Sequence, residues 1–384
     1  MQLKNFDPDI FLRDYWQKKP MMICNPWEVW SNPLEPDELA GLACEEQIES
    51  RLITQSGDTL SVENGPIPES RFGKIGERQW TLLVQAVDQV LPDVAALIEP
   101  FRFIPNWRID DVMVSYAADG GGVGPHFDQY DVFLIQGSGR RRWQIGDACN
   151  SETRLLPHDD LRLLAEFEPT DEWICEPGDI LYVPPGISHN GVAVGEDCMT
   201  YSIGFRAPSR RELIGNWGDE IIDNLSDDDR YEDPDLSRQE NPGEITEQAI
   251  ARLHDLVLEK ISDRDAFVHW FGKFETIAKY PEQNWAPEEM MDSSAVRNKI
   301  NAENLIRRNP ASRFSFVRRD AHTLTLFVDG EAHICADDMV VFAEELCARD
   351  LVAIGQKSTA SEALLALIAH LYNRGCVTFE DGNS

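Results

Sequence analysis

The chain has 384 residues, 42% of them apolar and 27% charged, enough to bury a sizeable core and to divide into two or three domains, which excludes disorder throughout. Lys and Arg number 35 against 68 Asp and Glu, a formal charge of −33, which argues against docking on a nucleic-acid backbone and favours a basic partner or simple solubility. No run approaches the roughly 18 apolar residues of a spanning helix. The start lacks an apolar signal core and the cysteines form no CxxC pair, so a reduced cytoplasmic protein without membrane contact is expected.

A short helix is predicted over residues 8–16. Beyond residue 100 the chain turns strand-rich, with Gly and Pro turns between short alternating runs, so 1–208 reads as an all-β barrel or sandwich with helical decoration, its core mainly 100–208. From 209 to 282 the pattern is helical: 211–225, then 244–261 with Ile245, Ile250, Leu253, Leu256 and Val257 at near-helical spacing, then 263–278. The acidic, Pro-containing run 226–243 reads as an exposed loop. Three helices in about 70 residues make a thin layer with little core of its own, which predicts packing on a neighbour or a homodimer. The last block, 283–384, is read as a helix over 287–300, a hairpin of strands 314–317 and 323–328, helices over 337–349 and 361–374, and a strand over 376–379. That α+β order suggests a winged helix, but the outer residues of 361–374 are mainly neutral, so a structural or protein-contact role is expected rather than direct DNA binding.

Most of the chemistry sits between residues 110 and 206. Residues 111–117 alternate like a strand, and a glycine-rich turn, Gly120-Gly121-Gly122-Val123-Gly124-Pro125, leads straight into His126-Phe127-Asp128. Residues two apart on a strand share a face, so His126 and Asp128 can present an imidazole and a carboxylate together. About 60 residues later, Pro184-Pro185-Gly186 turns the chain and delivers His189 from rigid backbone. Two imidazoles and one carboxylate from different strands form the facial ligand set of non-haem Fe(II), with open positions for a bidentate 2-oxo acid and O2. The other histidines (His158, His254, His269, His322, His333, His370) have no such company and are read as structural. Strand alternation also puts Arg141 on an inward face with Trp143 and Ile145. There it needs an anion, either the distal carboxylate of 2-oxoglutarate or an internal Asp or Glu.

These segments resemble the two cupin motifs, with Asp128 in place of a second histidine and Ala193 where asparagine is usual, and so point to the JmjC-type 2-oxoglutarate oxygenases. The opening Phe11-Leu12-Arg13-Asp14-Tyr15-Trp16, together with Trp107 to Asp111, Gly139-Arg140-Arg141-Arg142-Trp143, Glu176 to Tyr182 and Tyr201 to Pro208, is similar to the bacterial ribosomal oxygenases of that superfamily. Those enzymes hydroxylate an arginine of the sixteenth large-subunit ribosomal protein. The resemblance implies a double-stranded β-helix (JmjC, cupin-like) barrel, a helical dimerisation segment and a winged-helix-like α+β end. It implies iron ligation by His126, Asp128 and His189, 2-oxoglutarate anchorage by Arg141 with Ser115 and Thr200 assisting, and a substrate pocket of Asp111, Tyr130 and Ser202. Fe(II) would be the metal, 2-oxoglutarate and O2 the co-substrates, and the β-carbon of an arginine in a basic ribosomal protein the target. For Asp111, pairing with a protein arginine such as Arg108 is the competing reading. At the level of the whole protein, the alternatives are the same chemistry on a histidine of another ribosomal protein, or an acidic binding protein with a degenerate barrel.

Overall fold

The computed structural model describes residues 3–57, 59–303, 305–354 and 361–380. Its first half is built on strands β1 (Met21–Ile23), β2 (Ser50–Ser56), β3 (Thr59–Asn64), β4 (Trp80–Val84), β5 (Ile109–Ala117), β6 (Asp131–Ser138), β7 (Arg141–Ala148), β8 (Pro169–Cys175), β9 (Ile180–Val183), β10 (Ile187–Ala193) and β11 (Cys198–Phe205). A large antiparallel sheet in the order β1-β9-β6-β11-β5-β4-β2-β3 lies against a small one, β10-β7-β8. Strand alternation assigns the two faces. On β6, Val132 and Leu134 point into the barrel against Trp143, Ile145 and Cys175 of the small sheet, while Phe133 and Ile135 point outward into the main apolar core.

That outer core is roofed by the N-terminal segment. Asp7 caps the helix Pro8–Asp14 by accepting from the amides of Asp9 (2.9 Å) and Ile10 (3.1 Å), and Pro8 begins its first turn. Phe11 then packs edge-on to Tyr182, ring centroids 4.8 Å apart. The large sheet is therefore covered on both faces, which is why its central strands read as near-continuous apolar runs. Four strands, β1 to β4, lie before residue 100, where the sequence suggested only helical decoration. β3 is an edge strand with an alternating exposed pattern and carries too little apolar signal to stand out.

Three helices follow, Arg210–Asp223, Glu247–Ile261 and Arg264–Glu275, capped by Ser209, Thr246 and Asp263. Trp217 joins the first to the third through Phe267 (5.5 Å) and Trp270 (5.4 Å). The middle helix buries no residue at all, and Ile250, Leu253 and Val257 lie exposed along it.

The C-terminal block carries β12 (Leu305–Arg308), β13 (Phe314–Arg318), β14 (Thr323–Val328), β15 (Glu331–Ala336), β16 (Leu351–Ala353) and β17 (Val377–Glu380). They form two antiparallel sheets, β16-β12-β17 and β13-β14-β15, packed with the helices Ser293–Glu303, Asp338–Ala348 and Glu362–Asn373 around a separate core. The helix expected over 287–300 begins only at Ser293, because the Asp292 carboxylate caps the amide of Ala295 at 2.8 Å. β12, β15 and β16 are short or half-exposed and went unread in the sequence. Among the described residues all eight cysteines are free thiols, and no helix is long and apolar enough to cross a membrane.

Candidate metal centre and its pocket

His126 and Asp128 are not on a regular strand, as their spacing suggested. The glycines and Pro125 keep residues 118–130 irregular, and backbone bonds fix the segment instead: His126 and His189 exchange amide-to-carbonyl hydrogen bonds of 3.0 and 2.8 Å, and the Gly186 amide donates to the Asp128 carbonyl at 2.7 Å. Two glycines allow this close approach. A Cβ on Gly122 would come within 2.5 Å of the Gly191 carbonyl oxygen, and one on Gly191 within 2.5 Å of the Trp143 ring.

Three side chains converge as a result. The Nε2 atoms of His189 and His126 lie 3.6 and 4.0 Å from Oδ2 of Asp128, and the two imidazole rings are 4.3 Å apart. Nδ1 of His126 contacts the Gly124 carbonyl (2.9 Å), and Nδ1 of His189 contacts the Ile187 carbonyl (3.0 Å). A carbonyl only accepts, so each Nδ1 donates, and Nε2 is the nitrogen that each ring turns toward Asp128. Burial, with His126 adding to it, pushes the His189 imidazole down to about 4, so it stays neutral at physiological pH. His126 and Asp128 keep about a quarter of their side-chain surface open while His189 is closed off. Two imidazoles and a carboxylate with one open side fit a borderline divalent metal that must also bind other ligands.

Along the inner face of β7, four residues from His189 in the β10 register, stands Arg141. It is 4% exposed, and among the described residues its guanidinium makes one hydrogen bond, a long contact from Nη2 to the Ser115 hydroxyl (3.5 Å), and leaves Nε buried without a partner. Among the described residues it forms no ion pair, so the internal salt bridge weighed as its alternative is absent. Trp143 fills the space between, with Arg141 5.6 Å from its ring and His189 5.9 Å away. Ser115 and Thr200 sit opposite each other on β5 and β11, both buried, and the Thr200 hydroxyl bonds to the side-chain oxygen of Gln136 at 3.3 Å. Gln136, near the end of β6, belongs to this buried polar floor. An uncompensated guanidinium with hydroxyls beside it is a receptor for a carboxylate.

Asp111, Tyr130 and Ser202 line one cavity of about 360 Å³, together with Met113, Gly204 and Glu275. Tyr130 is 43% exposed, and burial of its hydroxyl together with the nearby carboxylates Asp128 and Asp111 pushes the phenol's pKa up. Asp111 has a fixed half and a free half. Its Oδ2 accepts from the Gln85 amide (2.7 Å) and the Ala86 backbone (2.9 Å) and lies 3.1 Å from Lys279, whereas among the described residues Oδ1 makes no hydrogen bond and faces Gly204. Its partner is thus Lys279 rather than Arg108, which binds Asp131. Lys279 also holds Asp110 at 2.8 Å, and Arg313 reaches the same carboxylate at 2.7 Å. Against the cost of burial, these two cations keep Asp110 below the ordinary carboxylate range. Segments far beyond the barrel therefore shape its mouth, and with Lys279 169 positions from Asp110 nothing local in the sequence announces the contact.

The JmjC domain family matches residues 96–213, the stretch that holds the metal triad, Arg141 and the Asp111, Tyr130 and Ser202 set, and a ROXA-like winged helix matches residues 259–378. The chain is 42% identical over 292 residues to the ribosomal protein uL16 3-hydroxylase of Escherichia coli, covering 74% of this chain and 77% of that protein. The chain belongs to the JmjC-domain ribosomal oxygenases. It is also 36% identical over 311 residues to a probable ribosomal oxygenase of Haemophilus influenzae, covering 77% of this chain and 74% of the relative. Solved structures agree: the E. coli ribosomal oxygenase YcfD superposes with a TM-score of 0.90 at 34% identity, over 99% of this chain and all of the other. A complex of YcfD with cobalt and 2-oxoglutarate gives 0.87 at 34% identity, over 99% of each chain. Like its relatives in this family, the protein is an oxygenase of the JmjC fold, and the winged-helix match begins at residue 259, within the helical segment.

Proposed function

We propose that this protein is an Fe(II)- and 2-oxoglutarate-dependent hydroxylase that adds one hydroxyl to the β-carbon of an arginine in the ribosomal protein uL16. The observation that carries the reading is the orphaned Arg141 guanidinium, buried on the same inner face as the His126, Asp128 and His189 donors. The substrate assignment draws on the name of the E. coli relative, and the E. coli structure with cobalt and 2-oxoglutarate supplies the precedent for both ligands.

His126, Asp128 and His189 would hold the metal, their Nδ1 anchors aiming both imidazoles without further reorganisation. Fe(II) with 2-oxoglutarate and O2 supplies the oxidising power to hydroxylate an unactivated C–H bond, with succinate and carbon dioxide as co-products. Arg141 receives the distal carboxylate of 2-oxoglutarate, with the Ser115 and Thr200 hydroxyls beside it, and Trp143 closes the floor between that anchor and His189. In the pocket, the free Oδ1 of Asp111 accepts from the substrate guanidinium, the Tyr130 ring lies against it, and Ser202 borders the path. Lys279 aims Asp111 and opposes the upward push that burial gives its carboxyl, so the target side chain meets a positioned group.

The domains follow as an oxygenase unit over 1–208, a helical unit over 209–282 and a winged-helix-like unit over 283–384. The uncovered apolar row of Glu247–Ile261 pairs with a second copy to make a homodimer. The enzyme works in the cytoplasm, where its excess of acid attracts a strongly basic substrate before ribosomal RNA covers it. Raising ionic strength should raise the KM for uL16 several-fold and leave that for 2-oxoglutarate nearly unchanged. An unchanged KM for uL16 would remove the steering role. Replacing the target arginine of a uL16 peptide by lysine should stop succinate release above the uncoupled background, whereas equal release from both peptides would refute the pocket assignment.

A further inference from the structure

A second convergence of two imidazoles and a carboxylate lies in the C-terminal block, against the expectation that the remaining histidines are merely structural. Glu331 and His333 lie on β15, two positions apart and so on one face, and His370 comes from the last turn of the helix Glu362–Asn373. Nε2 of His370 is 2.7 Å from Oε2 of Glu331, Nε2 of His333 is 4.0 Å from the same oxygen, and the imidazole rings are 5.2 Å apart. The candidate ligand atoms all lie within 4.8 Å of one another, a spread shared with the barrel triad.

Two further features favour an ion over a plain ion pair. Nε2 of His333 is buried and makes no hydrogen bond, an unsatisfied polar atom turned toward the cluster. Arg374 binds the other oxygen of Glu331, Oε1, at 2.5 Å, which orients the carboxylate and leaves Oε2 toward the histidines. A metal would satisfy His333 and take the place of the proton between His370 and Glu331, with water completing a four-coordinate shell. Two imidazoles disfavour Mg2+ and Ca2+ and select a borderline ion.

We propose that Glu331, His333 and His370 form a second divalent transition-metal site, taking Zn2+, that ties β15 to the helix Glu362–Asn373.

The test uses tag-free full-length protein whose barrel triad is disabled by His126→Ala and Asp128→Ala, equilibrated with Zn2+ and passed through a desalting column. The expected result is one equivalent of zinc retained per chain, falling to none when His370→Ala is added, with the same loss for His370→Gln, which keeps the exposed position polar. Co2+ in place of Zn2+ should give visible d–d bands that disappear with the same substitutions. Equal zinc retention with and without His370, or no retention in the barrel-disabled protein, would overturn the proposal. In the otherwise native enzyme, His370→Ala should leave 2-oxoglutarate turnover unchanged, which separates this site's failure from failure of the oxygenase assignment.

Discussion

The barrel and the C-terminal block each gather two histidines and one carboxylate, and the contrast between them shows what turns a donor set into a catalytic centre. In the barrel both imidazoles are oriented by backbone carbonyls, His189 is sealed from water, a cavity is lined by Tyr130, two residues on from Asp128, and a buried arginine without an anion stands on the same face as His189. In the C-terminal block the carboxylate already has an arginine partner, His370 is 44% exposed, and among the described residues no orphaned cation accompanies the cluster. Both sets can hold a metal. Only the first is furnished to hold a co-substrate and a target chain next to it.

The sharpest way to break this contrast is Asp128→Ala, which spares the C-terminal cluster. Turnover of 2-oxoglutarate, followed as succinate, should fall to background, and residual turnover well above it would mean that the barrel triad is not the centre. Lys279→Met probes how the barrel mouth is held from outside. It leaves the buried Asp111 and the half-buried Asp110 with one cation fewer, a loss of about 3 kcal/mol in stability readable from denaturant unfolding. A change within a few tenths of a kcal/mol would show that the clamp is idle. Arg141→Ala removes the anion receptor that the second cluster lacks. A charge-assisted contact is worth about 1.5–3 kcal/mol, so the KM for 2-oxoglutarate should rise by roughly 10- to 100-fold while iron binding persists. Val257→Glu, on the uncovered row of the helix Glu247–Ile261, has the smallest effect: sedimentation should shift from dimer to monomer with turnover retained. If the native chain already sediments as a monomer, the helical segment is no dimer interface.

The legibility of these features in the sequence follows from how local their determinants are. The barrel is legible beyond residue 100 because short apolar-rich runs are set off by Gly and Pro turns, and its triad because the glycine-rich turn before His126 and the Pro-Gly turn before His189 mark both positions. Arg141 stood out as a charge on an apolar face. Among the strands before residue 100, β3 carries little apolar signal because it is an edge strand, while nothing comparable hides the interior β2 and β4. His126 and Asp128 were placed on a strand, whereas backbone pairing to β10 holds them from an irregular segment. Lys279 and the meeting of His333 with His370 depend on packing between distant segments, which no periodicity within either segment encodes.

The central claim, that the barrel centre hydroxylates an arginine of uL16, is tested most directly by mass spectrometry of uL16 incubated with the enzyme, Fe(II), 2-oxoglutarate and air. The expected result is a gain of one oxygen atom on a single arginine, located to its β-carbon, present with the native enzyme and absent with Asp128→Ala or without 2-oxoglutarate. Unmodified uL16, or an oxygen gained equally with the Asp128→Ala protein, would contradict it.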